Sequence, residues 1–113
     1  MPGESAKKFF DFAKSFKGVV AAHDPELYDN AVTISGDPVK VKALSKALTL
    51  EAERIRNRRN DFFKEVHESN RRIGEADPEG PTRINVEVTE ETLPRESLFD
   101  KAVKKLVFKF KYA

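Results

Sequence analysis

The chain is 113 residues long with a formal net charge of +2 and no cysteine, which bounds it to a single domain, 1–113, burying about two-thirds of its unfolded surface. Lack of cysteine excludes disulfide frameworks, thiolate metal sites and thiol nucleophiles. No apolar run approaches the roughly 20 residues of a bilayer span, and "MPGESAKKFF" lacks a signal-peptide core, so a soluble cytoplasmic protein without a membrane partner is expected.

Charged residues make up 35% of the chain, glutamine is missing and methionine occurs once. That composition follows the trend of hyperthermophilic proteins, which favour Glu and Lys and shed thermolabile side chains. The small net charge conceals segregation. Residues 73–100 carry two basic and eight acidic side chains, whereas 101–113 carry five lysines and no acid. Local fields therefore say more about partners than the whole-chain balance.

In chain order, "SAKKFFDFAKSFKG" reads as a first helix capped by Ser5 and stopped by Gly18. Phe9, Phe12, Ala13, Phe16 and Val20 fall within a stripe about 100° wide at about 100° per residue, the signature of a core face. "VVAA" (19–22) extends that helix or forms a first strand, and "HDPELYDN" is a polar turn. "AVTIS" (31–35) alternates and is β-branched, predicting a strand that Gly36 ends. Asp37-Pro38 then opens a helix with a carboxylate cap and proline in its first position.

That second helix is predicted to run from Pro38 to about Ile73, with a break available near Asn57–Asn60. Val41, Leu44, Leu48, Ala52, Ile55, Phe62, Val66 and Ile73 form its apolar stripe. A strict heptad would put Glu51, Arg58 and Glu65 in the seam, so a coiled coil is not expected. "EADPEGP" (75–81) is an acidic loop, and "RINVEVT" (83–89) alternates as a strand. A short third helix is predicted over Pro94–Lys104. In "KLVFKFKYA", Leu106, Phe108, Phe110 and Tyr112 alternate with Lys105, Val107, Lys109 and Lys111. The sum is an α+β domain: a small antiparallel sheet of three to four strands, with a long central helix and shorter helices packed on one face.

Catalytic signals are weak. His23 and His67 have no ligand-type spacing. Glu51 and Glu53 lie two apart and do not face each other on a helix, and Gly36-Asp37 reads as a strand end plus a cap. Neither an enzyme nor a cofactor or metal is expected.

The basic and aromatic pattern stands above background. Phe10 projects about 100° from Phe9 with Lys14 and Lys17 beside it, either as a ring exposed for base stacking or as the edge of a wide core stripe under lysine stems. "RIRNRRNDFF" (54–63) brings Arg54, Arg56, Arg58 and Arg59 together with Phe63 off the main stripe. Each arginine has a nearby acid available, but four within six positions exceed the acids within a turn. On the last strand, period-two geometry places Lys105, Lys109 and Lys111 on one face, opposite Phe108 and Phe110; burial of the aromatics is favoured, and the reverse would expose them as a platform. Unpaired cations interleaved with aromatics suit a single-stranded polyanion, and this pattern leaves DNA and RNA equally open. A homo-oligomer is compatible with this reading.

The order of these elements, from a Phe-rich first helix through a long Arg-bearing helix to a basic aromatic strand, resembles the archaeal ThermoDBP family. The resemblance implies sequence-independent binding of single-stranded DNA in a cleft with apolar residues between basic edges, and a nucleoid-associated location. Some members continue past this point into a leucine zipper. "ALSKALTLEAERIRNRR" (43–59) also resembles the helix of Alba, an archaeal chromatin and RNA-binding family, although Alba opens with a strand. A third reading is a protein–protein adaptor docking a basic partner on the acidic 75–100 segment.

Overall fold

The computed structural model describes residues 2–24, 26, 28–72, 83–93 and 102–112. Helix α1 (Pro2–Ala13) leads into strands β1 (Val19–Asp24) and β2 (Tyr28–Gly36). Helix α2 (Pro38–Arg72) follows, then strands β3 (Ile84–Leu93) and β4 (Val103–Tyr112). The strands form one antiparallel sheet in the order β1-β2-β4-β3, and both helices cover the same face. The α+β class, the four-stranded sheet and the long central helix agree with the sequence reading.

Local chemistry accounts for the junctions. Asp37 caps α2, its Oδ2 accepting from the amides of Val39 at 3.1 Å and Lys40 at 3.3 Å, with Pro38 pre-set for the first turn. Between α1 and β1 the chain turns at Gly18 with φ of 86°, a conformation that costs any residue with a Cβ. Gly36 lies against the Gly18 carbonyl, so an added Cβ would stand 3.1 Å from that oxygen.

The core is built on the helix-facing side of β2 and β4. Val32, Ile34, Leu106, Phe108 and Phe110 meet Phe9 and Ala13 of α1 and Val41, Leu48, Ala52 and Ile55 of α2. Phe9 packs at 4.6 Å from Phe108 and 5.9 Å from Phe110, centroid to centroid, in tilted geometry. Register makes the sheet's two faces unambiguous, since paired residues share a face. Phe110 stands opposite Val86, Phe108 opposite both Val32 and Val88, and Lys109 opposite Ala31 and Glu87. Lys105, Lys109 and Lys111 therefore lie on the uncovered face, as the alternation predicted.

Several expectations are corrected. Ser5 is buried within α1 rather than capping it, because the helix starts earlier, at Pro2. The helix ends at Ala13, well before Gly18, and "VVAA" forms β1. Strand β3 runs on to Leu93, four residues past the predicted end, because the ladder with β4 continues. The predicted third helix lies largely outside the described residues, but Val103 and Lys104 belong to β4, so no helix reaches Lys104. No break interrupts α2 at Asn57–Asn60. Phe62, assigned to the core stripe, is 49% exposed. The reason is length: 35 residues span about 52 Å, against about 33 Å for a ten-residue strand. At Asn60, whose amide meets Ile84 at the start of β3, the helix reaches the end of the sheet, and beyond it the inward stripe has no strand beneath it. The acidic loop 75–81 lies outside the described residues.

Candidate nucleic-acid interface

Past the last buried aliphatic of α2, Ile55, the next residue on the inward stripe is Arg59, four positions on. Its guanidinium carbon lies 5.1 Å from the ring centroid of Phe62 and 5.0 Å from that of Phe63, within cation–π range of both. The two rings are 6.2 Å apart and inclined at 55°. Arg59 Nε is buried and has no hydrogen-bond partner, a costly state for a donor on a permanent cation.

Arg59 opens into a recess of about 210 Å³ between the two helices, lined by Ser5 and Lys8 of α1 and Ile55, Arg58, Arg59 and Phe62 of α2. Among the described residues this lining has three cations and no acid. Neither Lys8, Arg58 nor Arg59 makes an ion pair with a described residue. Ile55 floors the recess and the half-exposed Phe62 ring edges it. Unpaired cations converging on a partly desolvated space attract an anion far more strongly than isolated surface lysines do, and the exposed part of Phe62 adds aromatic surface beside them.

The other residues of the basic–aromatic pattern are placed elsewhere. Arg54 is paired with Glu51 at 3.3 Å, and Arg56 donates to its neighbour Asn57 from Nε at 3.4 Å and Nη2 at 3.2 Å. Phe10 is half-buried against the core, its ring 5.7 Å from that of His23. Lys14 sits 5.7 Å from the Phe10 centroid but also pairs with Asp11 at 3.0 Å. Lys17 is exposed in the α1–β1 turn. The lysines of β4 form a separate group, on the sheet face turned away from the helices. There Lys109 stands opposite Glu87, Lys105 opposite Glu91 and Lys111 opposite Asn85. Lys111 pairs with Glu87, and that ion pair, with a smaller contribution from Lys109, holds the Glu87 carboxyl below its ordinary value of 4.5. This face is mixed in charge rather than cationic.

Sequence reasoning named Arg58, Arg59 and Phe63 but missed Lys8, Ser5 and the exposed side of Phe62. A signal for Arg59 was present, since it continues the row Leu48, Ala52, Ile55 at helical spacing. Lys8 gave none, because its role depends on how α1 crosses α2. No group of metal-ligating side chains occurs among the described residues, and no described helix is long and apolar enough to cross a membrane. Fold and recess together define a small α+β domain with a cationic groove edged by an aromatic ring. No protein-family model, curated protein or solved structure matches the chain.

Proposed function

We propose that the protein binds single-stranded nucleic acid, without catalysis, in the groove between α1 and α2. Lys8, Arg58 and Arg59 meet backbone phosphates, and a neighbouring base stacks on Phe62. The observation that carries this reading is Arg59: a guanidinium held against two rings, its Nε buried and unpaired, beside two further cations and no acid. A buried donor without a partner costs the fold stability, and a phosphate in the recess that Arg59 lines would offset the unpaired charge of its guanidinium. The groove's size suits an unstacked strand rather than a duplex, whose recognition calls for an element that enters a groove or follows its shape. The preference for DNA over RNA rests on the resemblance to the ThermoDBP family.

Lys105, Lys109 and Lys111 face away from this groove and are answered by Glu87 and Glu91, so they form at most a secondary contact for a long strand. Fluorescence anisotropy with labelled oligothymidylate, oligouridylate and a duplex of equal length tests the reading. Binding of single strands ahead of duplex, weakened at least tenfold by Arg58→Ala, is the expected result. Equal affinity for all three, or none, would remove nucleic acid as the ligand and favour the adaptor reading.

A further inference from the structure

Strand β3 is an edge strand, and its first residue shows which of its backbone groups face outward. The side-chain amide of Asn60 takes both groups of Ile84: its Nδ2 donates to the Ile84 carbonyl at 3.1 Å and its Oδ1 accepts from the Ile84 amide at 2.8 Å. Those groups therefore point away from β4. Outward and inward groups alternate along an antiparallel ladder, so the amides and carbonyls of Val86, Val88, Glu90 and Thr92 also face outward. No described residue bonds to them across that edge. The ladder with β4 is unbroken from Ile84 to Leu93, and β3 contains no proline. Natural proteins blunt such an edge with proline, bulges or charge; here only the exposed Glu87, Glu90 and Glu91 stand along it, and they limit which registers can pair.

We infer that the edge of β3 pairs with β3 of a second copy, antiparallel and centred on Val88. A second copy brings an edge with the same outward groups in a matching alternation, and charge and register select the alignment. Centring on Glu90 sets Glu90 against itself, and centring on Glu87 does the same for Glu87. Centring on Thr89 sets Glu87 against Glu91. Centring on Val86 requires the Ile84 groups that Asn60 already holds. The Val88 register sets no two acids directly opposite and gives up only its outermost pairs, Ile84 with Thr92, to Asn60. It forms hydrogen-bonded pairs between Val86 and Glu90 of the second copy, between the two Val88 residues, and between Glu90 and Val86 of the second copy. Pairing stops where Asn60 occupies the edge.

Side chains agree with this alignment. Glu87 falls opposite Thr89, and Glu91 opposite Asn85. Val88 is 43% exposed on the helix side of the sheet, and there the two Val88 side chains cover each other. The product is a continuous eight-stranded sheet about a two-fold axis normal to it, with both helical layers on one side. The inference does not depend on the nucleic-acid reading, although it would present two α1–α2 grooves on the same face.

Analytical ultracentrifugation at micromolar concentration, with single-cysteine cross-linking, tests it. The wild type should sediment as a dimer. Val88→Pro removes an outward amide that the monomer does not use, and proline is tolerated on that side of an edge strand; it should raise the dimer dissociation constant at least tenfold while circular dichroism stays unchanged. The chain has no native cysteine, so Val88→Cys should form a disulfide dimer on mild oxidation. Glu91→Cys should not, because its equivalents lie about 20 Å apart in this register. The two cysteine variants decide the matter even if the proline variant fails to fold. A monomeric wild type would overturn the inference. So would a dimer that cross-links at Glu91→Cys but not at Val88→Cys, or one that survives Val88→Pro, which would move the interface elsewhere, for instance to the exposed Phe62 and Val66 of α2.

Discussion

Arg59 is where stability and function separate. A buried donor without a partner costs about 1–3 kcal/mol, so Arg59→Met, which keeps the stem against Phe62 and Phe63, should leave the melting temperature unchanged or raise it. The same variant should weaken single-strand binding at least tenfold; melts and titrations on one preparation check both halves. Asn60 gives the opposite pattern. Asn60→Ala strips the Ile84 amide and carbonyl of their partners in a part-buried setting and should cost about 1–3 kcal/mol by chemical denaturation, with binding by the folded fraction intact. Phe62 was assigned to the core from its place on the stripe, and the periodicity was right. What the sequence could not state is where the sheet ends, and that decides whether an inward residue is covered. Phe62→Ala should accordingly cost far less than the about 3–5 kcal/mol of a buried phenylalanine, while losing about 1–3 kcal/mol of binding.

At the level of elements, legibility followed the strength of the local signal. The start of α2 was readable from Asp37 and Pro38, because a carboxylate cap and an N1 proline act within a single turn. The last strand was readable from Leu106, Phe108 and Phe110 as period-two alternation with lysines, whereas which of its faces is buried is decided by the helices that pack on it. Phe108→Ala should confirm it at about 3–5 kcal/mol of lost stability in a denaturant melt. The end of β3 was not readable: "TEETL" (89–93) carries little apolar content, and only pairing with β4 makes it a strand. That pairing leaves a mark in pH dependence. The Glu87 carboxyl titrates below 4.5 in the fold because of Lys111 and then Lys109, so the unfolded chain binds its proton first. Its contribution to stability is present above the unfolded value and is lost as pH falls through the folded one. The difference in melting temperature between wild type and Glu87→Gln should persist at neutral pH and vanish under acid conditions below 4.5.

At the scale of the molecule, the described residues sort charge by surface. The sheet face opposes the lysines of β4 to the acids of β3, whereas the groove between the helices gathers Lys8, Arg58 and Arg59 with no acid in its described lining. Sequence alone gave the inventory of cations but not this sorting, which follows from strand order and from the crossing of two helices. The most direct test is a salt-dependent titration of fluorescent oligothymidylate by the wild type and by an Arg58→Ala/Arg59→Met double variant. Three phosphate contacts at about −0.7 each give a log–log slope near −2, so a tenfold rise in salt should weaken wild-type binding by about two decades. The double variant should bind more weakly with a slope near −0.7. If both proteins bind with the same affinity and the same slope, the groove between α1 and α2 is not the site.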